Sequence, residues 1–146
     1  MSTPAFLQNL APHVRSLVRI VAADLFVLHG TAKHLGIPFI EGMSGISSAS
    51  LSGVAGWLEL VGGTLLLLGL FTRPVAFVLS GLMAFAYFSA HAPRGPLLPL
   101  MNGGESAVLF CFIFLYFSVA GAGPWSLDAL RARGGSGRAA RAGRWR

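Results

Sequence analysis

The sequence has a single cysteine, five acidic residues and 11% charged residues, where a soluble domain carries about 25%. With Cys111 alone, neither an intrachain disulfide nor CxxC redox chemistry is available. It lies in an apolar run and reads as a small hydrophobe. Residues 1–9 hold no basic side chain, and no A-x-A site follows a short apolar core. A cleaved secretory signal is therefore not expected, and the first apolar segment reads as a retained anchor. No P-loop, GxGxxG fingerprint, GxSxG elbow or HExxH pair occurs, which removes the commonest sequence signs of nucleotide, hydrolase and zinc-protease chemistry.

What the chain does have is apolar side chain. Hydrophobic residues make up 54% of its 146 positions. One core in a single domain of this length cannot hide that much, whereas lipid removes the need to hide it. Four apolar stretches, near residues 14–35, 52–71, 74–91 and 105–120, predict an all-α integral membrane four-helix bundle. Gly36 and Pro38 stop the first stretch, Thr72-Arg73-Pro74 ends the second, and Pro74 suits the first turn of the third. Residues 37–52 read as a Gly- and Ser-rich loop with room for a short interfacial helix. Residues 91–104, with Pro93, Pro96 and Pro99, read as a loop with little regular structure. Ser126 is placed to N-cap a short helix to Arg133, with Asp128 in its first turn. This gives a membrane domain over 1–130 and an Arg-rich tail over 131–146, unstructured beyond Gly134.

The basic residues are unevenly placed and fix the expected orientation. Six of the eleven, Arg131, Arg133, Arg138, Arg141, Arg144 and Arg146, lie in the tail. With four spans, these share one side with Arg15, Arg19 and Arg73, against only Lys33 and Arg94 opposite. The positive-inside rule then puts both termini in the cytoplasm. A basic tail beside four apolar spans points to anionic lipid and not to nucleic acid.

Ionisable side chains at membrane depth are costly, so each needs a partner or a task. At ~100° per residue, Arg15, Arg19, His29 and Lys33 fall within roughly 80° of one another on the first span, with Asp24 nearly opposite. On the second, Ser52, Gly56, Glu59 and Gly63 share a face, small residues flanking a carboxylate. Ser80, Ala84, Tyr87 and His91 align on the third, and Glu105, Leu109, Phe112 and Tyr116 on the fourth. Glu59 and His29 lie at matching depth, ~10 Å from the outer ends of their helices. Lys33, His91 and Glu105 lie near the same outer surface. Hence His29, Lys33, Glu59, His91 and Glu105 form a candidate polar pocket. Two readings stay open. Glu59 and Glu105 neutralise Lys33 and His29 to fix helix register, or the group holds a quinone-like headgroup, relays protons or binds a metal. A metal is the weakest option, because the Glu-x-x-His pairs of a di-iron bundle are missing. No metal ligand set is assigned. Asp24 reads either as a packing partner within the bundle or as a contact with another subunit, a possible homo-oligomer. His34, beside Lys33, is expected at the interface and outside the pocket.

The residues just isolated resemble the DoxX family. The matching pieces are Arg19, His29-Gly30-x-x-Lys33-x-x-Gly36, Glu59-x-x-Gly62-Gly63, Leu68-Gly69-Leu70-Phe71-Thr72-Arg73, Asn102-Gly103-Gly104-Glu105 and Gly121-Ala122-Gly123-Pro124-Trp125-Ser126-Leu127-Asp128. Their order and spacing carry the likeness over residues 15–130. The resemblance implies a multi-pass bacterial inner-membrane protein that serves as an accessory subunit of a quinone-linked oxidoreductase complex, more than as a catalyst by itself, and does not establish catalysis. The alternatives are a noncatalytic membrane scaffold or chaperone-like protein, and a small transporter or proton-conducting bundle. No cofactor is certain, and quinone is the one suggested.

Overall fold

The helices start and stop where small local signals dictate, and those signals set the lengths. A computed structural model describes residues 4–142 of the chain. Helix α1 spans Ala5–Leu35, α2 Leu51–Leu68 and α3 Thr72–Ala86. The third continues through a π-turn at Tyr87–His91 and a 3₁₀ turn at Ala92–Arg94. A single turn, α4, follows at Pro99–Asn102, then α5 at Glu105–Ala120 and α6 at Leu127–Ala142. No strand occurs among the described residues.

Several boundaries differ from the sequence expectation. The first helix begins at Ala5 and runs through Pro12. Proline removes one backbone donor near the start of a 31-residue helix, and the flanking turns carry it across. The second ends at Leu68 because Gly69 takes φ +64°, the left-handed turn that closes α-helices. Thr72 and Arg73 therefore open α3 instead of ending α2. Residues 37–50 hold turns with no helix. The tail also departs from the unstructured reading: α6 continues past Arg133 to Ala142. No proline interrupts residues 127–142, and Ala and Arg are strong helix formers. Residues 143–146, with Arg144 and Arg146, lie outside the described residues. The capping expectation fits, since Ser126 Oγ accepts from Ala129 N at 3.1 Å.

Helices α1 and α2 pack along each other, α3 and α5 form a second pair, and α2–α3 contacts join the two. Phe26, Leu66, Leu79, Phe114 and Phe117 fill the shared core. Gly30 allows α1 and α2 to approach closely. A Cβ there would meet Leu60 N at 2.8 Å and Gly56 O at 2.9 Å, both backbone atoms that cannot turn aside. Along the outer faces the pattern inverts. Val21, Leu25, Val61, Phe77, Phe85, Leu109, Phe112 and Val119 are exposed. Monomeric soluble proteins rarely tolerate contiguous apolar surface on this scale. Two helical stretches, Leu51–Leu68 and Thr72–Arg94, are long and apolar enough to cross a bilayer, and Glu105–Ala120 is a shorter apolar helix.

Candidate functional site

Antiparallel packing of α1 on α2 brings the C-terminal turn of α1 to the N-terminal half of α2. Lys33 and Glu59 meet there as an ion pair, Nζ to Oε1 at 2.6 Å, with side chains 11% and 5% exposed. The other carboxylate oxygen, Glu59 Oε2, is buried and accepts no hydrogen bond. A buried acceptor left unpaired costs about 1–3 kcal/mol, more when charged. The site therefore holds an acceptor suited to a hydroxyl or other proton donor.

Two histidines flank the pair, each close enough to act on the Glu59 charge. His29 Nδ1 donates to Leu25 O at 2.8 Å, and its ring meets Phe110 edge-on at 6.0 Å. Phe110 in turn lines an apolar groove of about 490 Å³ between α1 and α5, with Val21, Leu25, Leu109 and Ile113. His34, left out of the expected pocket, belongs beside it. Its Nε2 lies 3.0 Å from Gly53 O, and its ring stacks on Trp57 at 4.3 Å. Its place beside Lys33 in the sequence suggests the interface. The signal that could have found it is Gly56, where a Cβ would meet His34 Nε2 at 2.7 Å.

His91 and Glu105 do not join this group. His91 stacks on Tyr87, and its Nδ1 lies 3.4 Å from Asn102 O. Tyr87 donates to Leu97 O, and Asn102 Nδ2 donates to Pro96 O at 3.0 Å while its Oδ1 accepts from Gly104 N. This small network pins the loop to the end of the third helix. Glu105 is exposed on the same outward face as Leu109 and Phe112. No hydrogen bond or ion pair links His91 or Glu105 to Lys33 or Glu59 among the described residues. Their shared depth is not matched by shared direction. Asp24 is exposed on α1 and has no partner within the described residues, so a packing partner inside the bundle is not its place.

The opposite end is held by a residue whose part the sequence does not reveal. Arg19 is 1% exposed. Its Nε donates to Ala122 O at 3.0 Å and its Nη1 to Leu67 O at 2.7 Å and to Leu66 O, while Nη2 reaches Trp125 O. One guanidinium thus satisfies Leu67 O at the end of α2, shares Leu66 O with Gly69 N, and ties residues 121–126 to that helix end. Beside it, Asp128 accepts from Phe71 N and Thr72 N, both at 2.9 Å, capping α3 from a distant part of the chain. Burial pushes the Asp128 carboxyl up, but the two backbone donors and nearby Arg131 outweigh it and hold it below the ordinary carboxylate value.

That shift has a measurable consequence. A carboxylate with a depressed folded pKa stabilises fully above its unfolded value of ~3.9, and the contribution is lost as pH falls through the folded value. Asp128→Ala is therefore expected to lower stability by about 1 kcal/mol at neutral pH. The gap from wild type should close as the pH is taken below 4 in thermal melts. A gap that persists unchanged in acid would contradict the cap.

The comparisons bear on the same residues. The DoxX family model matches residues 14–92, which span Arg19, His29, Lys33, Glu59 and Asp24. A protein of Haemophilus influenzae, described as "Uncharacterized protein", is 48% identical over 125 residues, covering 84% of this chain and 93% of that one. No solved structure matches.

Proposed function

The chain belongs to the DoxX family of membrane proteins, and we propose that it is an accessory subunit of a quinone-linked oxidoreductase complex in the bacterial inner membrane. The observation that carries this reading is the junction at His29. An apolar groove along α1 and α5 is lined by Phe110, the His29 ring packs on that phenylalanine, and His29 in turn acts on the charge of Glu59, one of whose oxygens accepts no hydrogen bond. The groove has the character needed by an isoprenoid chain, and the residues beyond it that needed by a polar headgroup.

The residues present fit a quinone. Lys33 Nζ and the imidazoles of His29 and His34 supply donors for carbonyl oxygens, and Glu59 Oε2 supplies an acceptor for a hydroxyl. A bound quinone would supply two-electron, two-proton carrier chemistry. The chain's own part is to hold the headgroup, keep water from it and offer a proton acceptor at Glu59. The catalytic redox centre belongs to a partner subunit, and Asp24, exposed at mid-helix, suits a contact with that partner or with a second copy.

In this reading four helices span the bilayer, with both termini in the cytoplasm. The nine basic residues on the terminal side against two opposite support that orientation. A reporter fused after Arg146 should be active in the cytoplasm, and one inserted near Pro96 should be exported. A periplasmic C-terminus would overturn the topology. The functional test is purification of the native protein in mild detergent, followed by mass spectrometry. Bound quinone with co-purifying redox subunits is the expected result. A robust homo-oligomer holding neither would favour a scaffold.

A further inference from the structure

A second cleft lies far from Glu59, at the end that carries the α2–α3 turn and the segment after α5. It is open, encloses about 640 Å³, and is lined by Arg15, Phe71, Thr72, Arg73 and Asp128 among others. Its charges are unbalanced. Asp128 is the sole carboxylate among the lining residues, and its two oxygens are taken by Phe71 N and Thr72 N. Neither arginine has an anionic partner among the described residues. Arg15 is held in place by one bond, Nη1 to Ala120 O at 2.8 Å, while its Nε is shielded and makes no hydrogen bond. Arg73 lies against Gly121, where a Cβ would sit 3.4 Å from Nε, so no side chain screens it. At the rim, Arg131 rests over the Phe71 ring at 4.8 Å.

We propose that this cleft binds a phosphate group between Arg15 and Arg73, borne by an anionic phospholipid or by a soluble phosphate ester. Arginine's planar fork matches phosphate oxygens two at a time, and an unscreened pair of forks in a bounded cleft forms a receptor for one such group. Pro12, Phe71 and Pro74 supply an apolar lip beside the cations. That combination suits a molecule with a charged head and an apolar body better than a polyanion. The site does not rest on the start of α3, because Asp128 already occupies it.

The full chain in zwitterionic nanodiscs or detergent provides the test, with phosphatidylglycerol and inorganic phosphate as separate probes. Native mass spectrometry should find one phosphatidylglycerol retained per chain. Arg73→Gln should weaken retention by about tenfold, the loss of one charge-assisted contact, and the double change with Arg15→Gln should abolish it. Arg73 is exposed and makes no structural hydrogen bond among the described residues, so its variant folds even if the Arg15 variant does not. Arg94→Gln, at the opposite end, should change nothing. If inorganic phosphate raises the melting temperature and displaces the lipid, the site serves soluble phosphate esters. If it does neither while the lipid binds, the source is the bilayer. The proposal is overturned if Arg73→Gln binds both probes like wild type, or if Arg94→Gln loses as much as Arg73→Gln.

Discussion

Arg19→Met is expected to destabilise the protein by on the order of 3–5 kcal/mol. The methionine is of similar length but leaves the carbonyls of Leu67, Ala122 and Trp125 without their donor in a largely buried site, and takes one of two donors from Leu66 O. Leu66 O keeps Gly69 N as a donor, but no backbone N–H reaches the other three among the described residues. Arg19→Lys should recover little. An ammonium places its donors around one point and cannot fan across carbonyls contributed by two chain segments. Thermal unfolding in mild detergent reads the effect. A melting temperature within a degree or two of wild type for Arg19→Met would show that the guanidinium is incidental.

The second large effect separates pairing from function at the other end. Lys33→Met alone strands the Glu59 carboxylate in a buried site and should cost about 3–5 kcal/mol. Adding Glu59→Leu removes the stranded charge, so the double variant should recover most of that loss. Non-additivity of this sign and size identifies Lys33–Glu59 as a coupled pair. If the double variant is as unstable as the sum of the singles, the two residues act independently and the 2.6 Å contact has little energetic weight.

Much of this was legible in the residues, and the remainder was hidden for identifiable reasons. The meeting of Glu59 with Lys33 follows from helical phase and from depth, because both lie near the same end of adjacent antiparallel helices. Depth did not suffice for His91 and Glu105. They sit at the same end of the chain's other helix pair, and a helix-end residue can face any direction around its axis. The phase alignment of Glu105 with Leu109 and Phe112 is real, but that face points outward.

Arg19 shows the opposite failure. In sequence it is one more basic residue near the end of a span, countable toward orientation. Its role depends on carbonyls 47 to 106 positions away, and backbone acceptors leave no mark on side-chain composition. The conformational signal was present but indirect, in Gly69 and in the turn-forming run from Gly121 to Ser126. A Cβ on Gly69 would press Ser126 Cβ at 2.4 Å. Similarly, Asp128 was readable as a first-turn residue of its own helix, while its service to α3 required the fold.

The most direct measurement is quinone content of the natively purified protein, compared between wild type and Glu59→Gln on samples matched for folded helix by circular dichroism. Glutamine keeps the shape and one acceptor but cannot take a proton. The expected result is quinone and redox subunits retained by wild type, with the quinone lost from a folded Glu59→Gln protein. Equal quinone in both, or none in wild type purified with its partners intact, would contradict the assignment of this site.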